Sequence, residues 1–377
     1  WLMGFGLVPA GLACALGSPS VDGQRGWLFG AGLSLVGALG VFGLQNGAAL
    51  LIAWEAMSLG GAVMILSDTL EQGRGRTVLF MLALLEVGAV ALVLAIAILG
   101  LHASGLTFSA FVAGAPVLSH TAAVGIGLLL LIGFGAKLGL LPFYEWFPGA
   151  YGSGSGASGA IMSGVVLNAA FFALSRALMD WLPLAPDNGF PMLAVTVIVV
   201  GTLSAILTIL YAFQQDDWRR LLGFSSAENA AIAVVALGAA MLFRTYHLEA
   251  LAGLSATVAL LHLAGHALAK GALFLAADGV FRATRSYRIA YSGAGSHWLF
   301  GSGAVIAAMS LAAMPPTAGF VSEWFVFQTV FQGFYLPHLS GRLVLALTGA
   351  GLALTAAVAF ATFVKLIGLG VLSRDAA

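Results

Sequence analysis

The chain has 377 residues, 60% hydrophobic and only 8% charged, with a formal net charge of zero and a mean hydropathy of +1.02. A soluble fold cannot hide that much apolar surface, so the composition points to a polytopic membrane protein with the bilayer as its main surroundings and no nucleic-acid partner. The single cysteine, Cys14, permits neither an internal disulfide nor a thiolate metal site, which removes iron–sulfur ligation by this chain alone.

Eleven apolar segments follow in order: 1 to 16, 26 to 45, 48 to 66, 77 to 101, 119 to 147, 157 to 183, 190 to 214, 218 to 243, 249 to 281, 297 to 330 and 342 to 372. Runs of about 20 residues cover a hydrocarbon core of ~30 Å as helices. Barrel strands would alternate over about ten residues, and a run such as "TVLFMLALLEVGAVALVLAIAILGL" does not alternate. The fold class is therefore all-α. The first run lacks a basic leader and an initiator methionine, so a signal peptide is a poor reading and the numbered chain is expected to start inside a longer protein.

If the segments alternate in direction, Arg25, Arg74, Arg76, Arg219, Arg220, Arg282, Arg285, Arg288 and Arg374 share one side, and only Arg176, Arg244 and Arg342 fall on the other. The positive-inside rule makes the richer side cytoplasmic, with residue 1 outside and residue 377 inside.

Segment three carries Glu55 and segment four Glu86, each surrounded by apolar residues. Segment five reads "GFGAKLGLLPFYEWFPG": Lys137, then a helix break at Pro142, then Glu145-Trp146-Phe147. Segment ten repeats the theme with Pro315 and Pro316 ahead of Glu323-Trp324-Phe325. Five steps separate the two breaks, so they run in opposite directions, as expected if segments two to six and seven to eleven form two inverted five-helix repeats. The implied organisation is a leading helix over 1–25, a first half over 26–189 and a second over 190–377. Broken helices expose backbone polar groups at membrane depth, which requires protein or a water-filled cavity beside them; ordinary proline kinks are the plainer alternative.

Segment eight opens with Asp216 and Asp217, which suit a helix N-terminus, and later carries Glu228 as a further intramembrane acid in "SSAEN". Segment nine contains "LLHLAGHALAKGALF", with His262, His266 and Lys270 at successive spacings of four on one helical face. Interhelical hydrogen bonding would explain either histidine alone; the three together form a titratable stripe suited to proton transfer. A zinc site is disfavoured because no glutamate lies between the histidines and no third ligand is evident.

All three lysines, Lys137, Lys270 and Lys365, lie in apolar segments, whereas the arginines fall at helix ends and loops. Arginine stays charged, but desolvation lets a lysine release its proton. Each intramembrane charge costs about 2.5 to 3.5 kcal/mol on insertion scales, so ion or proton transfer is the default reading. Lys365, near a segment end, is placed either to snorkel or to sit at the exit of such a route.

The motifs "LIAWEAMSL", "GFGAKLGLLPFYEWFP", "QQDDWRRLLGFSSAEN", "HLAGHALAKGALF" and "MPPTAGFVSEWFVFQ", in this order, resemble the antiporter-like proton-translocating subunits of respiratory complex I, multi-subunit sodium/proton antiporters and group 4 membrane-bound hydrogenases. "WEAMSL", "SSAEN" and "GFVSEWF" look closest to the large membrane subunit of the formate hydrogenlyase and hydrogenase group. The resemblance, from about residue 26 to 372, implies a family fold of fourteen helices whose third to thirteenth correspond to the eleven segments. It makes Glu55 and Lys137 an acid–lysine pair in the first half, and links Lys270, His262 and His266 to Glu323 in the second. It departs at Asn168, where the family has a protonatable lysine or histidine, and at Tyr144 and Glu86, where histidine is expected.

The resemblance implies a subunit of the inner membrane of a prokaryote, partnered by other antiporter-like membrane subunits and by soluble catalytic subunits. Those partners would hold any nickel–iron centre, iron–sulfur cluster, flavin or quinone. Asn168 keeps a non-pumping scaffold open; a sodium/proton antiporter subunit and an energy-coupling subunit for inorganic-carbon uptake are further alternatives.

Overall fold

The computed structural model describes residues 2–20, 23–183, 191–289 and 298–372; Arg374 and the two chain ends used above to assign sides lie outside the described residues. The helices are α1 Leu2–Leu16, α2 Gln24–Gly43, α3 Gly47–Ser67, α4 Arg74–Ala103, α5 Phe108–Gly114, α6 His120–Leu138, α7 Trp146–Ser153, α8 Gly156–Ile161, α9 Leu167–Asp180, α10 Met192–Phe213, α11 Trp218–Thr245, α12 Glu249–Thr284, α13 Trp298–Leu311, α14 Ala318–Phe331 and α15 Leu339–Lys365. A π turn, Met162–Val166, joins α8 to α9, and another, Leu366–Val371, extends α15. Side-chain caps start several helices and satisfy otherwise orphaned amides: Asn46 for α3, Ser119 for α6, Asp217 for α11 and Thr317 for α14. The N-terminal role expected of Asp217 is thus observed.

The molecule is an all-α polytopic bundle. Among the described residues, nine stretches are long and apolar enough to cross a membrane, against eleven expected. The difference has a local cause: α1 has only 15 residues, and the tenth segment is cut at its prolines into α13 and α14 of 14 residues each.

Neighbour relations recur along the chain: α2 lies on α3 and α4 on α6, then α10 on α11 and α12 on α13 and α14. α11 is buried along its whole membrane-crossing stretch, and it is apolar on nearly every side, as a central helix must be. α1 wedges in through Pro9: a Cβ on Gly271 of α12 would stand 2.1 Å from the Pro9 Cβ, and one on Gly164 would stand 3.2 Å from its Cγ. Only glycine lets these backbones approach so closely.

The arginines sort to opposite ends of the bundle. Arg219 pairs with Glu71 of the α3–α4 loop at 2.6 Å, Arg282 donates to the carbonyls of Leu16 and Gly17, and Arg74 donates to the Leu66 carbonyl. At the other end Arg176 bonds Gln45 and Arg244 donates to the Met179 carbonyl. The arginine-rich end is tied by two buried aspartates. Asp68 accepts from the Ser18 hydroxyl, the Ser155 amide and the Ser158 hydroxyl. Asp278 accepts from the Gly156 and Ala157 amides and the Tyr287 hydroxyl. Together they fix the start of α8 between α3 and α12, where "GSGSGASGA" offers small residues and free amides. Asp68 lies just beyond the end of α3, and burial pushes its carboxyl above the ordinary carboxylate range despite these donors.

Candidate functional site

α6 ends where Gly139 adopts a left-handed conformation, and Lys137 in its last turn points into the bundle, only 3% exposed. A buried ammonium needs acceptors, and α3 supplies them. Lys137 Nζ donates to Ser58 Oγ at 2.6 Å and to the Trp54 carbonyl at 3.4 Å, and lies 4.6 Å from the centre of the Trp54 ring. Glu55, half-buried on the same helix, interacts electrostatically with Lys137 and also meets the carboxyl of Glu86 on α4. Among the described residues, Glu55 and Lys137 make no direct ion pair. The expected acid–lysine pair is thus a relation across a gap, with Ser58 holding the ammonium. The sequence reading missed Ser58, although it lies three residues beyond Glu55 on the same helix.

The break at Pro142 does not leave its backbone unsatisfied. The Trp146 indole donates to the Ala136 carbonyl at 2.9 Å, and the Leu141 amide donates to Ser204 Oγ at 2.9 Å. The two Glu-Trp-Phe triplets are not equivalent. Trp146 and Phe147 are buried and Glu145 is exposed, whereas Glu323 is buried and Trp324 and Phe325 are exposed. The first triplet runs from the turn after its proline into the start of α7; the second lies within α14, rotated so that its acid faces inward.

Between the halves, Asn168 on α9 is fully buried, with Nδ2 donating to the Leu2 carbonyl at 3.3 Å and Oδ1 without a partner among the described residues. One turn earlier Ser163 meets Ser226 of α11, hydroxyl to hydroxyl, at 2.8 Å.

The second half gathers the predicted stripe. Lys270 is completely buried and donates to the Leu222 carbonyl of α11 at 3.0 Å. His262 Nδ1 lies 3.1 Å from Ser322 Oγ, next to Glu323 on α14. His262 Nε2 and both His266 ring nitrogens are buried without partners among the described residues. Glu228, a marginal candidate by sequence, takes a central place: buried on α11, it accepts from Asn229 Nδ2 at 2.5 Å and interacts electrostatically with both Lys270 and Glu323. Lys270 therefore faces Glu228, a residue whose only sequence signal was an acid deep in an apolar segment.

Lys365 separates from this row. Lys365 Nζ donates to the Phe213 and Gln215 carbonyls at 2.9 and 2.7 Å and approaches Asp216 at 3.4 Å, so it caps the end of α10. Glu86, midway along α4, is exposed, yet its carboxyl meets that of Glu55 and acts electrostatically on Lys137, so it stands at the outer edge of the first cluster. Pro315 and Pro316 form the turn before Thr317, whose hydroxyl caps α14.

The family described as NADH:quinone oxidoreductase/Mrp antiporter, transmembrane, matches residues 45–341. Hydrogenase-4 component B of Escherichia coli is 30% identical over 331 residues, covering 86% of this chain and 48% of that protein. A chain of the membrane-bound sulfane sulfur reductase, an archaeal respiratory membrane complex, superposes with a TM-score of 0.80 at 26% identity over 97% of this chain and 58% of its own length. A chain of respiratory complex I from Thermus thermophilus shares the fold, with a TM-score of 0.71 at 22% identity over 98% of this chain and 83% of its own. The chain spans about half the length, or less, of the curated relatives it matches.

Proposed function

This chain belongs to the NADH:quinone oxidoreductase/Mrp antiporter transmembrane family, and from that premise we propose that it moves protons across the bilayer, driven by redox chemistry in partner subunits. The observation that carries the reading is the interior row of ionisable groups, Lys137 in one half and Glu228, Lys270, His266, His262 and Glu323 in the other, all buried in the bundle. Bare charges at such depth are costly, and groups that gain and lose protons are what such a site is for. The recurring neighbour relations of the helices support two halves, over 26–189 and 190–377, each with a lysine at its centre.

In the proposed cycle, Glu55 as a carboxylate stabilises the Lys137 ammonium, and its neutralisation favours release of the proton inward. Asn168 cannot carry a charge in relay; its Oδ1, buried and without a partner among the described residues, suits an ordered water, which would bridge the gap toward Lys270. Lys270 then exchanges with Glu228, and Glu323 with His262 leads outward.

A scaffold reading draws on one observation, the same Asn168, and predicts normal energy coupling after E323Q and K270M together. For the proton reading, K137M in an assembled, reconstituted complex abolishes transport, and undiminished transport would remove Lys137 from the route.

Partners are supported by Glu86: although it meets the Glu55 carboxyl, it remains exposed at the middle of a membrane helix. Left against lipid it would be costly, so a neighbouring membrane subunit is expected to cover it. We assign the complex to the inner membrane of a prokaryote, with the arginine-rich end cytoplasmic, and any nickel–iron centre, cluster, flavin or quinone to the partner chains. The soluble subunits that co-purify identify which complex it is.

A further inference from the structure

A groove of about 320 Å³ opens between α9, α11 and α12, at the end of the bundle where α9 and α11 stop and α12 starts. It exists because α12 presents Ala256 and Ala259 there, side chains too small to close the space beside Phe171 and Phe172 of α9. Leu260 continues the wall and is 40% exposed, so the groove opens sideways toward hydrocarbon. At 1.5 Å per helical residue, Phe171 lies ~14 Å below Asp180 and Leu260 ~17 Å below Glu249. That depth is about half a hydrocarbon core of ~30 Å, the reach of one leaflet, and too short to seat a transmembrane helix.

The mouth is polar and charged. Arg176 and Asp180 line it from the last turns of α9, and Arg244 lines it from the last turn of α11. Of the three arginines expected at this end, two belong to this one groove. Arg244 spends one donor on the Met179 carbonyl; Arg176 spends one on Gln45, with its guanidinium 4.6 Å from the centre of the Phe108 ring. Among the described residues neither arginine has a carboxylate within ion-pair distance, and Asp180, exposed at the rim, engages no cation. Two guanidinium groups with donors to spare match a phosphate diester, and the lone carboxylate beside them matches an ammonium.

We propose that this groove is a lipid site for phosphatidylethanolamine, with one acyl chain along Phe171, Phe172 and Leu260, the phosphate on Arg176 and Arg244, and the ammonium on Asp180. An anionic lipid such as phosphatidylglycerol satisfies the arginines but offers nothing to Asp180. The site is independent of the proton route, since its lining shares no residue with the interior row.

Native mass spectrometry of the complete protein in its complex, released from nanodiscs of equal dioleoyl phosphatidylethanolamine and dioleoyl phosphatidylglycerol, tests this. The wild type retains the ethanolamine lipid in preference to the glycerol lipid, and R176Q/R244Q lowers that retention by about tenfold, as expected for loss of charge-assisted contacts. D180N retains lipid but loses the preference. If R176Q/R244Q does not assemble, A256L, which fills the groove and leaves the charges, gives the same fall in retention. Equal retention in wild type and A256L, a wild-type preference for the glycerol lipid, an ethanolamine-lipid preference unchanged by D180N, or a photo-cross-linker at position 260 that captures a partner helix and no lipid would each overturn the assignment.

Discussion

Lys137 Nζ donates to Ser58 Oγ at 2.6 Å, and the carboxyl of Glu55, on the same turn of α3 as Ser58, stands off without a direct ion pair. A serine thus anchors the ammonium while the acid acts on it only through space, so the two contacts are separable. S58A is expected to cost about 1.5 to 3 kcal/mol, the loss of a hydrogen bond to a charged group. In a K137M background the same change costs little, because the partner is gone. Thermal melts of the two single variants and the double variant measure the coupling; additive losses would show that Ser58 does not hold Lys137.

Glu228 interacts with both Lys270 and Glu323 and is more than a local hydrogen-bond acceptor. E228Q keeps its size and its Asn229 contact but cannot ionise, so it is expected to stop proton transport as fully as K270M. A wild-type proton flux in E228Q proteoliposomes would take Glu228 out of the row.

Asp68 ties α8 to the end of α3 from outside the membrane-crossing stretch, and its carboxyl is raised above the ordinary 3.8 by burial. A carboxyl raised in the folded state binds more protons there than in the unfolded chain, so its contribution to stability is full below 3.8 and is lost as pH rises through the folded value. The Tm of the wild type is expected to fall as pH rises from about 4 through the elevated value, and D68N should lose that part of the dependence. An identical pH profile for both proteins would contradict the assignment.

Pro9 packs on Gly271, where an added Cβ would come within 2.1 Å. G271A is expected to destabilise by about 1 to 3 kcal/mol through overpacking and to loosen α1 from α12, read as a lower Tm and faster proteolysis of α1. G253A, also in α12 but with nothing within 4 Å of its new Cβ, is the control and is expected at or slightly above wild-type stability.

Much of this was legible from local sequence. Continuous apolar runs fix an all-α membrane fold, the prolines fix both breaks, and spacing by four puts His262, His266 and Lys270 on one face of α12. What was not legible depends on how helices rotate against one another. Glu86 and Glu228 are both acids inside apolar segments, yet α4 leaves one exposed and the central α11 buries the other. The two Glu-Trp-Phe triplets invite equivalence, but α14 rotates its acid inward and its aromatics outward. Lys365 and Lys270 likewise differ only in what surrounds them: carbonyls at a helix end for one, the bundle interior for the other.

The central claim, that buried ionisable groups carry protons through this chain, is tested most directly by K270M in the assembled complex reconstituted into liposomes, with redox turnover and internal pH followed together. The account predicts that the partner subunits keep turning over while proton movement is lost. Proton movement at the wild-type ratio to turnover would contradict it.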